Sequence, residues 1–407
     1  HIRKIAVADS FNIQISFGTA PNEKKMVLGR LPDYIVNRDV FFDPGRSLRY
    51  RIAETTAYDP FNEGDWYRIK LSKTGIYRIS GLDLATVGFP VGKTPSNSIR
   101  MYYGGGILLT ENPKKILQDN LKEIAIKIED GGDGVFDTDD IIIFYGSALS
   151  RFITGIPSDL KVYQNHPYSD ENVYWITLSD KGIPLRMQSV GETPSANFPV
   201  RTSFSEITHI ERENYPNFAE TGINWYWEEI SSASKSFAFS LPGIVPSDSV
   251  NITVKFSNDG INPLYLSREV NIYINDDGPH NFRMASSIPS ITRFPLYNTL
   301  KTSGNIIRIV CINSEPNLVT RLDWMEVEYE RLLEQYVSTV EFFLKGDSSP
   351  IKFMVARVEK PKAVLFDTTD PYHVAQVVNT VYNEQAKTLT AQITVHQGTR
   401  SRFLTTD

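Results

Sequence analysis

The chain has one cysteine, Cys311, in 407 residues, so no disulfide can form within it. That excludes a disulfide-stapled scaffold but not export, because a β core of this size needs no staples. It has no apolar run approaching the ~20 residues of a membrane helix, so no membrane span is expected. A long basic run is missing too, and the net charge of −6 is spread along the sequence. Nucleic acid is therefore not an expected partner, and nothing electrostatic points to an anionic membrane surface. The N-terminus carries no signal peptide; a chain that starts at His1 rather than Met is read as trimmed.

The usual catalytic signatures are absent as well. Nucleophilic catalysis by cysteine needs a histidine within reach of an accessible thiol. Cys311 instead alternates with Ile307 and Ile309, which places it among core residues. The six histidines are His1, His166, His209, His280, His373 and His396, and no two have the i, i+4 spacing of a zinc helix. His166, in Gln164-Asn165-His166-Pro167-Tyr168, reads as a solvated turn residue. There is no Gly-x-Ser-x-Gly elbow, and Gly104-Gly105-Gly106 lacks the Gly-Lys-Ser/Thr ending of a phosphate loop, which leaves a tight turn. Glu228 and Glu229 follow Trp225-Tyr226-Trp227, a combination found in carbohydrate clefts. On a strand, however, adjacent acids point to opposite faces and cannot act as a facing pair. No active site emerges within these residues.

What is present is mainly β. The sequence is 41% hydrophobic, 22% charged and 12% aromatic, with 20 tyrosines, a composition that favours strands. Trp66–Leu71 and Ile76–Ile79 flank Ser72-Lys73-Thr74-Gly75 and read as a β-hairpin. Ser80–Gly88 predicts a helical turn stopped by Gly88. Strands are expected at 99–103 and 173–178, and beyond these the alternating runs 250–256 and 270–274, with turn signals at 258–260 and 276–278. Phe237 and Phe239 precede that pair; 306–312 and 324–329 follow it. Such spacing predicts a two-sheet, jelly-roll-like sandwich. Further strands are expected at 342–344, 351–358, 363–366 and 389–396. Tyr372–Lys387 has some helical character, opposed by its β-branched residues. The domain reading is an N-terminal β segment over 1–62, with a strand candidate at 12–17, a β-rich domain over 63–185, a jelly-roll-like sandwich over 186–335 and a small β region over 336–407.

The densest local signal is Glu129–Gly146. Ile124–Ile128 and the unbroken apolar run Ile141–Tyr145 read as strands around an acidic, glycine-rich loop. Glu129, Asp133, Gly134, Asp137 and Asp140 stand at positions one, five, six, nine and twelve of a calcium-loop spacing. Position three is Gly131, which has no side-chain ligand. Two readings stay open: Glu129, Asp133, Asp137 and Asp140 hold calcium, or the loop is a solvated turn whose aspartates cap backbone amides.

Several segments taken in order carry a family resemblance. They are 64–70 with 73–79, 129–137 with 143–146, 168–175, 221–226, Leu322–Tyr329 and Phe366–Pro371, and they span residues 64 to 371. Together they resemble the region that precedes the peptidase domain in PorU-like sortases of the type IX secretion system, gingipain-type cysteine peptidases. Ile223-Asn224 departs from the Gly-Arg of that family's motif. The resemblance implies a non-catalytic N-terminal region of an exported cell-surface, outer-membrane protein. Its partners would be its own C-terminal peptidase domain, the outer-membrane secretion machinery and the secreted cargo. The family's catalytic cysteine and histidine belong to the later domain, so none can be carried onto a position here. The rival expectation is a stand-alone surface adhesin or glycan-binding sandwich, with Trp225 and Trp227 as an exposed platform. A hydrolase complete within the chain would need an acid pair that the spacing does not reveal.

Overall fold

The computed structural model describes residues 64–106, 121–154, 161–216, 225–230, 234–246, 250–259, 268–284, 290–297, 299–312, 319–335, 339–346, 348–395 and 400–406. All of them lie in the unit Pro60–Asp407. The strand candidate at 12–17 and His1 and His396 fall outside them. The fold is multidomain and nearly all β, organised around three main apolar cores.

The first core lies between two sheets. One has the order Trp66–Leu71, Asn172–Leu178, Ile99–Tyr103, Lys122–Ile124, and the other Gly75–Ser80, Ile141–Gly146, Lys127–Glu129. The hairpin expected from 66–79 is therefore not formed. Trp66–Leu71 pairs with Asn172–Leu178, while Gly75–Ser80 pairs with Ile141–Gly146. An isolated hairpin buries only one face and is marginal in water. Sending the two strands to opposite sheets lets both cover one core, where Tyr77 stacks on Phe144 at 5.5 Å. Ile124–Ile128 is likewise split between the sheets. The chain crosses at Ala125, whose N–H donates to the Tyr372 carbonyl at 2.8 Å, and at Ile126, which bridges Arg186. Ile141–Gly146 is buried along nearly its whole length, as an apolar run without polar breaks requires.

The short helix Gly81–Thr86 forms as expected. The Ser80 side chain accepts from the Asp83 N–H and the Asp83 carboxylate accepts from the Ser80 N–H, a complete capping box, and Gly88 leaves the helix at φ +86°.

The second core is the predicted sandwich. Ser203–Glu211, Val319–Leu332, Val250–Asp259 and Ser290–Leu296 face the sheet Lys235–Phe239, Asn305–Cys311, Arg268–Ile274, Asp277–Met284. Strict alternation sends Ile252, Val254, Ile272, Ile307 and Ile309 inward. Asp277 and Gly278 belong to a strand; the turn before them is at 275–276, with Asn275 at φ +54°.

In the third core, Thr339–Lys345, Pro350–Ala356, Val364–Asp367, Thr388–Thr394 and Arg400–Thr406 are joined by two short strands from far upstream. Gln188–Val190 pairs with Ala375–Val377, and Val200–Arg201 pairs with Pro350–Ala356, both in parallel. Over 372–387 the structure has strands at Ala375–Val377 and Val381–Asn383 and no helix. The valines that opposed a helix there supply apolar edges, Val377 entering the core.

Candidate binding cavity

The sheet Ser203–Glu211, Val319–Leu332, Val250–Asp259 turns one face to the second core. On its other face, strand alternation collects polar groups. Ile210 opposes Met325 on the core side, while His209 opposes Glu326 and Glu211 opposes Trp324 on the outside. The third strand adds Lys255 at a β-bulge. Val254 pairs with Met325 and Phe256 with Leu322, so Lys255 alone faces Asp323 and Trp324. The extra residue re-aims these side chains toward one site, a common use of bulges. Lys255 Nζ lies 2.8 Å from Asp323 Oδ2 and 5.8 Å from the Trp324 ring centroid.

These groups floor a cavity of about 820 Å³ whose walls include the aromatics Tyr163, Trp225, Tyr226 and Trp324. Tyr163 comes from the ribbon formed by Arg151–Thr154 and Lys161–Gln164, and it stacks on the His209 imidazole at 3.9 Å and 10°. Asn165, His166, Pro167 and Asp170 complete the rim. His166 is half-buried there, with Nδ1 accepting from the Ser169 N–H at 3.2 Å, so it is no freely solvated turn residue.

The electrostatics are tightly coupled. His209 is buried, its side chain 5% exposed, with Nδ1 2.9 Å from Glu326 Oε1 and Nε2 3.0 Å from Glu211 Oε2. Burial disfavours its charge, but the two carboxylates outweigh that and raise its pKa. Asp323 is raised by burial despite Lys255, and Glu211 adds to the rise. Glu213 is pushed to about 7, first by desolvation and then by Glu211, with which it shares a hydrogen bond. Much of the Glu213 residue is exposed, yet its carboxyl forms part of the cavity wall beside Glu211. The Asn165 amide donates to Glu213. Burial, followed by Glu211 and Glu213, raises Tyr163.

None of the cavity's acids was singled out from the sequence. The period-two recurrence of His209 and Glu211 was the available signal for one strand face, and Glu213 follows just beyond the strand's end. Lys255, Asp323 and Trp324 come from distant segments, and only the strand register brings them in.

The acidic loop lies elsewhere. Glu129 pairs with Lys127 at 3.0 Å and Arg78 at 3.6 Å. Asp133 Oδ1 accepts from the Val135 N–H at 2.9 Å and Asp140 Oδ2 from the Asp137 N–H at 2.5 Å. Gly131, Gly132 and Gly134 take positive φ. Among the described residues, no group of three or more His, Cys, Asp or Glu side chains is gathered so as to hold a metal ion.

The two tryptophans considered as a platform separate. Trp227 is 1% exposed in the second core, whereas Trp225 is 37% exposed at the cavity. Glu228 turns to Lys235 at 3.3 Å and Glu229 to Arg321, so they do not face each other. Cys311 is buried, with Sγ 3.7 Å from the Ile230 carbonyl.

No family model and no curated relative matches the chain. Among solved structures it is similar to dimeric latent PorU from Porphyromonas gingivalis, at TM-score 0.62 and 16% identity, over 85% of this chain and 32% of that one. Slighter overlaps reach the CBM36-1 domain of a multidomain xylanase from the hindgut metagenome of Trinervitermes trinervoides (TM-score 0.21, 13% identity) and a family 35 carbohydrate-binding module from Clostridium thermocellum (TM-score 0.21, 16% identity). Each covers 30% of this chain, and 96% and 90% respectively of the module. At those scores neither bears on function. The chain spans about a third of the PorU chain and shares its fold over most of its own length.

Proposed function

We propose that this chain is the non-catalytic N-terminal region of a PorU-like, gingipain-type cysteine peptidase. In this reading the whole protein acts at the cell surface as a sortase for type IX secreted cargo, and the β domains support and position its catalytic domain. The carrying observation is the PorU-like fold over 85% of the chain. The ordered sequence segments between residues 64 and 371 support the same reading. The burial of Cys311 supports a site of catalysis outside these residues.

The first test is the coding sequence beyond Asp407. A frame that continues into an α/β peptidase pattern with a histidine and a cysteine is expected; a stop codon near Asp407 would overturn the reading. With that frame in hand, the separately expressed halves should co-purify, and failure to associate at micromolar concentration would remove the supporting role. The adhesin or glycan-binding alternative retains only Trp225 of its expected platform, since Trp227 is core.

A further inference from the structure

The aromatic cavity on the sandwich of the second core has an excess of carboxylates that bears on the chemistry of its ligand. Several of its donors are already engaged by carboxylates. Both His209 nitrogens lie against Glu326 and Glu211, Lys255 meets Asp323, and the Asn165 amide reaches Glu213. Its carboxylates still outnumber its cations, because Asp170, Glu211, Glu213 and Asp323 line the cavity against Lys255 and the His209 imidazole. A neutral sugar would leave that excess negative charge without a counter-charge. A guanidinium presents five donors, no acceptor and a flat face that stacks on aromatic rings.

We propose that this cavity binds an arginine side chain of a partner polypeptide, with the guanidinium held by the Glu211 and Glu213 carboxylates and flanked by Trp225, Tyr226 and Trp324. The walls already attract cations within the chain: the Arg321 guanidinium carbon lies 5.5 Å from the Tyr226 centroid and Lys255 Nζ 5.8 Å from that of Trp324. A volume of about 820 Å³ exceeds one side chain and leaves room for its neighbours in the peptide. The incoming cation also separates two carboxyls that otherwise share a proton. Binding therefore releases that proton and strengthens as pH rises through neutrality. This inference goes beyond the supporting role proposed above and does not depend on it, since the lining residues it uses all belong to this chain.

The experiment is isothermal titration of the full 407-residue chain with a glycine peptide carrying one arginine, in buffers of different ionisation enthalpy. The same peptide with citrulline, a neutral near-isostere, and a neutral oligosaccharide serve as comparators. The arginine peptide is expected to bind about ten-fold or more tightly than the citrulline peptide, with proton release and weakening in salt. Glu213→Gln, a change on an exposed residue that keeps the fold, should weaken binding and flatten its pH dependence; circular dichroism checks that fold. Equal affinity for citrulline, binding of the oligosaccharide alone, or no heat from the arginine peptide would each overturn the proposal.

Discussion

Glu213 and His209 both have raised pKa values in the folded chain, and both bias stability in the same direction. Glu213 titrates near 7 in the folded chain against an ordinary 4.5, and the carboxylates around His209 raise its pKa also. A raised folded pKa means that the native state holds its proton more tightly. For Glu213 that stabilisation is complete below its unfolded value and is lost as pH rises through about 7. For His209 it is complete below about 6.5 and is lost as pH passes its higher folded value. The melting temperature should therefore fall between about pH 5 and pH 8, and Glu213→Gln should reduce that fall; a profile unchanged by the substitution would show that Glu213 does not titrate there. Lys255 makes a second case. Its partner Asp323 is 6% exposed, so Lys255→Met leaves a buried carboxylate unpaired and should cost about 3 kcal/mol in chemical denaturation. Adding Asp323→Asn should recover much of that loss, a coupling that a double-mutant cycle reads directly. The cavity was hard to find in the sequence for a physical reason. His209 and Glu326 become neighbours only through register, and Lys255 meets Asp323 only because a bulge shifts that register by one residue. Neither event leaves a local pattern.

Strands were legible element by element wherever alternation was strict, as in Val250–Asp259 and Arg268–Ile274, and so was the capped helix Gly81–Thr86. Pairing was not. Residues 66–79 have the pattern of a hairpin, but that pattern records which residues face a core and not which strand they bond. Likewise the isoleucines of 124–128 alternate through a point where the chain changes sheets. The helix itself fixes the acidic loop. A Cβ at Gly81 would lie 1.8 Å from the Asp137 carbonyl oxygen, a backbone atom that cannot step aside as a side chain would. Gly81→Ala should thus destabilise by about 3 kcal/mol or more, whereas Leu82→Ala, at a side chain 62% exposed, should change little in the same thermal melt. The loop's carboxylates support the capped-turn reading, since Asp133 and Asp140 each accept a backbone N–H. Melting in a chelator and then in excess calcium separates the two readings of Glu129, Asp133, Asp137 and Asp140. An unchanged melting temperature is expected; a rise of several degrees that Asp137→Asn abolishes would assign the loop to calcium.

In the described unit, the first and third cores meet at an apolar seam flanked by a part-buried cation. Ile143 and Tyr145 from the first domain pack with Phe366, Val374 and Leu404 from the last. Beside them the Arg402 guanidinium donates to the Tyr145 hydroxyl at 3.0 Å and the Phe152 carbonyl at 3.4 Å. It also pairs with Glu341 at 3.3 Å and lies 5.1 Å from the Phe343 centroid. Burial opposes its charge, but Glu341 and Tyr145 outweigh that and keep it ionised. The chain thus ties residue 145 to residue 402, a contact that loop-closure entropy disfavours and that only a well-satisfied interface sustains. Upstream strands tighten the same connection, because Gln188–Val190 and Val200–Arg201 complete sheets of the third core before the second sandwich begins. Arg402→Met removes the charge while keeping much of the packing volume, and it strands Glu341 at the seam. It should cost about 2 kcal/mol, and because the loss falls between domains, calorimetry should show the main endotherm broadening or dividing in two. A uniform downward shift with an unchanged single transition would mean that the apolar contacts of Tyr145, Phe366 and Leu404 suffice to couple the domains, leaving Arg402 with a purely local role.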